Sequence, residues 1–147
     1  MEGRLRKSVI IVIILILLTS GCKVDQTSKH SLTTTFRNNI CTYDGAKSVA
    51  AGEVSFIMVN KYRDLNVAMI VLTLDKGKTV DDLKALPTNT GEDPQWTHRV
   101  GAPERHVYPG ESYTFKATIE TGPIYMLCFS GSPELITGVL GPIEVIK

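Results

Sequence analysis

Residues 112–120, Ser-Tyr-Thr-Phe-Lys-Ala-Thr-Ile-Glu, alternate without a break. Tyr113, Phe115, Ala117 and Ile119 fall on one side, and Thr114, Lys116 and Thr118 on the other. A period of two belongs to a strand with one buried and one wet face; a helix would scatter these apolar residues around its circumference. Working outward, Thr121-Gly122-Pro123 is a turn signal, and Ile124–Ser130 (IYMLCFS) and Val139–Ile146 (VLGPIEVI) read as further strands. Pro142 lacks a ladder donor, which puts the last run at an edge or in a bulge. Upstream, Glu53–Asn60 (EVSFIMVN) sets Val54, Phe56 and Met58 against Ile57 and Val59. Apolar residues on both faces point to an inner strand. Asn66–Asp75 (NVAMIVLTLD) is another β-branched apolar run.

Short strands punctuated by Ala51-Gly52, Pro109-Gly110 and Gly131-Ser132-Pro133 predict an all-β sandwich or barrel. One segment departs from this pattern. Lys78–Leu86 (KTVDDLKAL) offers Thr79 as an N-cap, Asp81 and Asp82 in a first turn, and Val80, Leu83 and Leu86 three apart, the marks of one short amphipathic helix. A long polar stretch, residues 87–101, follows and carries Trp96.

The N-terminus has a different character. Arg4, Arg6 and Lys7 precede an unbroken apolar run from Val9 to Leu18, then Thr19-Ser20-Gly21-Cys22. The run is about half the roughly 20 residues that a membrane-spanning helix needs, which is the length of a signal-peptide core. Small residues directly before a cysteine resemble the lipobox of prokaryotic lipoproteins. That resemblance implies cleavage before Cys22, lipidation of its thiol, and a protein anchored on the extracytoplasmic face of the cell membrane. A plain secretory signal and an uncleaved anchor helix are the alternatives, and both also place the folded part across a membrane. Residues 22–35, polar and rich in Ser and Thr after the cysteine, are expected to be a flexible tether. The domain is then expected over residues 36–147.

The 147 residues suffice for one domain. Charged residues at 21% and apolar residues at 43% are proportions of a folded chain rather than a disordered one. The net charge of +1 offers no basic stripe for nucleic acid, so no nucleic-acid partner is expected. Removing residues 1–21 takes away Arg4, Arg6, Lys7 and Glu2, leaving 13 basic and 14 acidic residues and a net charge of −1.

With the strands placed, residues 107–145 resemble the cupredoxin family. The similarity lies in Tyr108-Pro109-Gly110-Glu111-Ser112, an alternating strand, and Gly122-Pro123-Ile124-Tyr125-Met126-Leu127-Cys128. Residues 49–56, with the strand ending at Asn60, resemble the family's early strand, and residues 74–83 resemble the helix-bearing insert of plastocyanin-like members. The resemblance implies a Greek-key β-sandwich of about seven to eight strands with one short helix. The chain departs from the family at the metal ligands. A blue-copper centre takes two imidazoles, a thiolate and a weak axial ligand such as Met. The family's first His position falls near Asn66, and no His or Met follows Cys128; Val139 stands where the Met is expected. Neither a metal nor another cofactor is therefore expected.

With Cys22 assigned to lipid, Cys41 and Cys128 remain, and an exported protein can form disulfides. Cys41, on the expected first strand, and Cys128, at the end of a late one, are expected to pair across the sandwich. Two buried free thiols, or a metal or redox site, are the alternatives. No Cys-x-x-Cys supports a thioredoxin-type role.

The remaining motifs point to no catalysis. Gly77-Lys78-Thr79 lacks the earlier glycine of a phosphate loop, its place being taken by Leu72. Asp81-Asp82 and Glu92-Asp93 are adjacent acids, whose side chains point apart. Met58, Met69 and Met126 read as core fillers. His98 and His106 flank a turn-rich stretch and could share a metal if the fold brought them together. Trp96, His98 and Arg99 are the candidate ligand patch, with Trp96 alternatively plugging one end of the sandwich. The expected protein is a non-enzymatic, lipid-anchored binding or structural module. Its partners are the membrane, through the anchor, and a protein or small molecule that the sequence does not name. The alternative is a copper-binding electron-transfer or carrier protein with a non-standard ligand set.

Overall fold

The computed structural model describes residues 30–87, 93–131 and 135–147. The expected signal segment 1–21 and the expected lipidation site Cys22 lie outside the described residues. Among the described residues the elements run β1 (Ser31–Arg37), β2 (Ile40–Tyr43), β3 (Ser48–Ala50), β4 (Gly52–Asn60), β5 (Val67–Leu74), α1 (Val80–Lys84), β6 (Thr97–Gly101), β7 (Ser112–Ile119), β8 (Ile124–Ser130) and β9 (Leu135–Ile146). They form a four-stranded sheet in the order β2-β1-β4-β7 and a five-stranded sheet in the order β3-β9-β8-β5-β6. The described residues form an all-β sandwich with one short helix and nine strands, where seven to eight were expected.

The alternating patterns become faces. Val54, Phe56 and Met58 of β4 are completely buried between the sheets, and Phe115, Ala117 and Ile119 of β7 are nearly so. Phe56 and Phe115 are register partners whose rings stack 5.2 Å apart. From the other sheet, Val67, Met69 and Val71 of β5 and Ile124, Met126 and Cys128 of β8 complete this core. As the sequence of β4 indicates, it is an inner strand, parallel to β1 and antiparallel to β7.

Three sequence expectations need correction. The tether does not extend to Thr35, because Ser31–Arg37 form β1 and bury Leu32, Thr34 and Phe36 against the core. Thr34 hides this strand in the sequence, yet its hydroxyl is accommodated inside by donating to Met126 Sδ at 3.5 Å. Cys41 accordingly lies on the second strand rather than the first. The polar stretch 87–101 is not all loop, since Thr97–Gly101 form β6 and pair with β5. For Pro142 the structure selects the bulge: the β8–β9 register shifts between Ile124↔Ile143 and Met126↔Leu140, leaving an extra residue on β9.

The sandwich has two distinct ends. At the end where β1 and β4 begin, the lower end, Ser55 N–H donates to His30 O and Ala51 N–H to Ile146 O. At the upper end, Asn60 is almost completely buried and fully hydrogen-bonded. Its Nδ2 donates to Leu65 O and Val107 O, both at 2.8 Å, and its Oδ1 accepts from Tyr62 N–H at 2.9 Å. Its main chain bonds to Glu111 O and Gly110 N–H. One amide therefore ties the end of β4, the β4–β5 loop and the 107–111 turn together. Asn60→Ala leaves Leu65 O and Tyr62 N–H without this partner, while Val107 O keeps its bond from Val67 N–H, and the cost is about 1–3 kcal/mol for each group that water does not reach. A urea titration is expected to show a loss of more than about 2 kcal/mol; a change within about 0.5 kcal/mol, the scale of an ordinary surface substitution, would overturn this role.

Candidate functional site

The upper half of the core is where the cupredoxin resemblance directs attention. Cys41 of β2 and Cys128 of β8 are joined by a disulfide across the two sheets, with Cα atoms 6.2 Å apart and 87 positions apart in sequence. Cys128 is completely buried and Cys41 is 4% exposed. Gly138, the register partner of Cys128 on β9, makes room for the link: a Cβ there would lie 3.0 Å from the Cys41 Cβ. A side chain at 138 would push β2 away from β9.

The sulfur of Cys128 is bonded to carbon and sulfur, so the thiolate is spent. His98 and His106 are not brought together. His98 pairs with Thr73 on β5, whereas Val107, next to His106, bridges Val67, six strand residues or about 20 Å away. Among the described residues no group of three or more His, Cys, Asp or Glu is placed to hold a metal ion. Met58, Met69 and Met126 are all core residues without exposure.

The candidate ligand patch is divided by the structure. At the lower end, β5 leaves its sheet at Leu74, and Asp75 N–H donates to Trp96 O at 3.0 Å. Gly77, with φ +90°, turns the chain into α1. Thr79 caps the helix, accepting at its hydroxyl from Asp81 N–H, while Thr79 N–H donates to the Asp82 carboxylate at 2.8 Å. The Thr79 main-chain and hydroxyl hydrogen bonds, then Lys78, hold the Asp82 carboxyl below its ordinary range. Leu83, the buried residue of α1, packs with Leu72, Tyr125, Leu127 and Phe129 on the outer face of the five-stranded sheet. Trp96 lies half-buried against this second cluster, with Lys78 Nζ 5.0 Å above its ring. Trp96 therefore covers the outside of a sheet.

His98 Nε2 lies 2.7 Å from Asp75 Oδ1, both side chains being more than half exposed. Asp75 and Lys78 also line a cavity of about 370 Å³ with Thr73, Thr121, Gly122 and Tyr125. Arg99 belongs elsewhere. It clasps Asp93 Oδ2 through Nε at 3.2 Å and Nη2 at 2.7 Å, and borders a second cavity of about 310 Å³ with Ile70, Arg105, His106 and Phe129. Trp96 and His98 thus gather around the 75–78 turn while Arg99 faces the upper cavity. The sequence shows no sign of this division, because the separating element, β6, carries too few apolar residues to be recognised as a strand.

No family model matches the chain, and no curated protein matches it either. Among solved structures, the chain is similar to Na-dithionite-reduced auracyanin from the photosynthetic bacterium Roseiflexus castenholzii. The identity is 17% and the TM-score 0.49, covering 81% of this chain and 98% of that one.

Two outcomes follow from this geometry. Replacing both cysteines, Cys41→Ala with Cys128→Ala, is expected to lower stability by about 2–4 kcal/mol in a denaturant titration. The oxidised, denatured wild-type domain should show neither cysteine reactive in a thiol assay. Two reactive thiols would contradict the bond. Thr79→Ala should cost about 1 kcal/mol. Because Asp82 is held below its ordinary range, the share it contributes to the cap is present at neutral pH and lost as pH falls through the carboxylate range. The Thr79→Ala deficit should therefore shrink in titrations below pH of about 4; a deficit that grows there would overturn the assignment.

Proposed function

We propose that this protein is an extracytoplasmic binding or structural module of the cell envelope, a cupredoxin-like β-sandwich without a type 1 copper centre, held to a membrane by a lipid on Cys22. The observation that carries the proposal is Ser20-Gly21-Cys22, one residue behind the apolar run Val9–Leu18. The Cys41–Cys128 disulfide agrees with it, because such bonds persist in oxidising compartments and are rare in the cytosol. The same bond supports the absence of blue copper: a thiolate is the ligand that gives such a centre its geometry and colour, and Cys128 has none to offer while it is oxidised. The ligand is a protein or small molecule, met through the exposed polar surface.

Two measurements test the proposal. Intact-mass analysis of the protein purified from its native membrane should find a chain beginning at a modified Cys22. An unmodified precursor would overturn the anchor. Adding Cu(II) to that protein should produce no intense visible thiolate-to-copper band; such a band would favour the copper-carrying alternative.

A further inference from the structure

The first strand of the domain starts at the lower end of the sandwich. β1 starts at Ser31, paired with Ser55 near the start of β4, and His30 O accepts from Ser55 N–H. We infer that the lower end of the sandwich, formed by Lys47, the 75–78 and 121–123 turns and the end of β9, faces the membrane, and that the upper end is presented to partners. This rests on the lipidation of Cys22 proposed above.

The argument is one of reach. Cys22 and Ser31 are nine Cα steps apart, so no conformation between them exceeds about 32 Å. The nine-residue strand β4 spans about 30 Å from lower to upper end. To bring the upper loops to the bilayer, the segment would have to run back along the whole length of the domain at nearly full extension. That arrangement would use nearly all of the roughly 32 Å contour, whereas the lower end needs little of it, and a connection held near its contour limit is entropically costly. The chain entropy of a short connection therefore selects the orientation.

Charge adds little to that selection. At the lower end the exposed cations Lys47, Lys76, Lys78, Lys116 and Lys147 are nearly balanced by Glu53, Asp75, Glu120 and Glu144. The orientation should accordingly be insensitive to anionic lipid. The upper end then projects Ile40 and Tyr108, each more than half exposed, away from the bilayer. The Arg105 guanidinium stands over the Tyr108 and Tyr113 rings, 5.7 and 5.0 Å from their centroids.

The protein carries one tryptophan, so the orientation can be read by resonance energy transfer. In a Trp96→Phe background, tryptophan is introduced at the lower end (Thr121→Trp, and separately Lys47→Trp) or at the upper end (Tyr108→Trp), all exposed positions. Each lipidated full-length protein is reconstituted into phosphatidylcholine vesicles containing a dansyl-labelled phosphatidylethanolamine. Transfer should be strong from positions 121 and 47 and largely lost at 108, with the same ratio when phosphatidylglycerol is added. Equal transfer from both ends, or stronger transfer from 108, overturns the orientation while leaving the anchor standing. Protein that separates from the vesicles on flotation, with an unmodified Cys22 by mass, overturns the anchor and the orientation with it.

Discussion

The Cys41–Cys128 bond is the constraint around which the sandwich is arranged. It joins β2, the edge of one sheet, to β8, a central strand of the other. β2 has only four residues and a single hydrogen-bonded neighbour, β1, so its own ladder holds it weakly. The disulfide fixes its position, and the absence of a side chain at Gly138 permits it to come so close. Closing a loop of 87 positions also removes much conformational freedom from the unfolded chain. The chemistry follows from the same bond, because a sulfur committed to structure cannot serve as a thiolate ligand.

β8 connects the two halves of the protein in another way. All seven of its residues are buried, which requires cover on both faces. Ile124, Met126 and Cys128 face the core between the sheets, while Tyr125, Leu127 and Phe129 face the cluster sealed by α1 and Trp96. The short helix is thus a lid over the outer face of the five-stranded sheet, and its capping box matters because five residues hold few hydrogen bonds of their own. Burial raises the Tyr125 phenol, and the nearby Glu144 carboxylate raises it further. The polar groups that surround this lid, Asp75, Lys78 and His98, form the lower surface beside one cavity, while Arg99 borders another. A continuous stretch of sequence is in this way shared between two surfaces.

Legibility varied with strand length and with the neighbours that each strand found. β4, β5, β7 and β8 could be read because each has seven or more residues and a clear apolar face. β2 and β3, with four and three residues, are too short to display a period. β1 escaped because Thr34 occupies a core position, satisfied there by a methionine sulfur 92 positions away. β6 escaped because its exposed His98 and Arg99 read as loop, although charged residues suit an edge strand that must avoid pairing with other chains. Asn60 was visible only as the end of a strand; its value lies in carbonyls brought to it from Leu65 and Val107.

The sequence alone determined the β character, the inner position of β4, and the helix with its Thr79 cap. These are local properties, set by periodicity, capping chemistry and residue identity. Only the tertiary structure decided that Cys41 meets Cys128, that Trp96 lies against the outside of a sheet, that Arg99 parts from His98, and that the chain enters the domain at its lower end. Those are facts of strand order and register, and they depend on contacts between residues far apart along the chain, which no local pattern encodes.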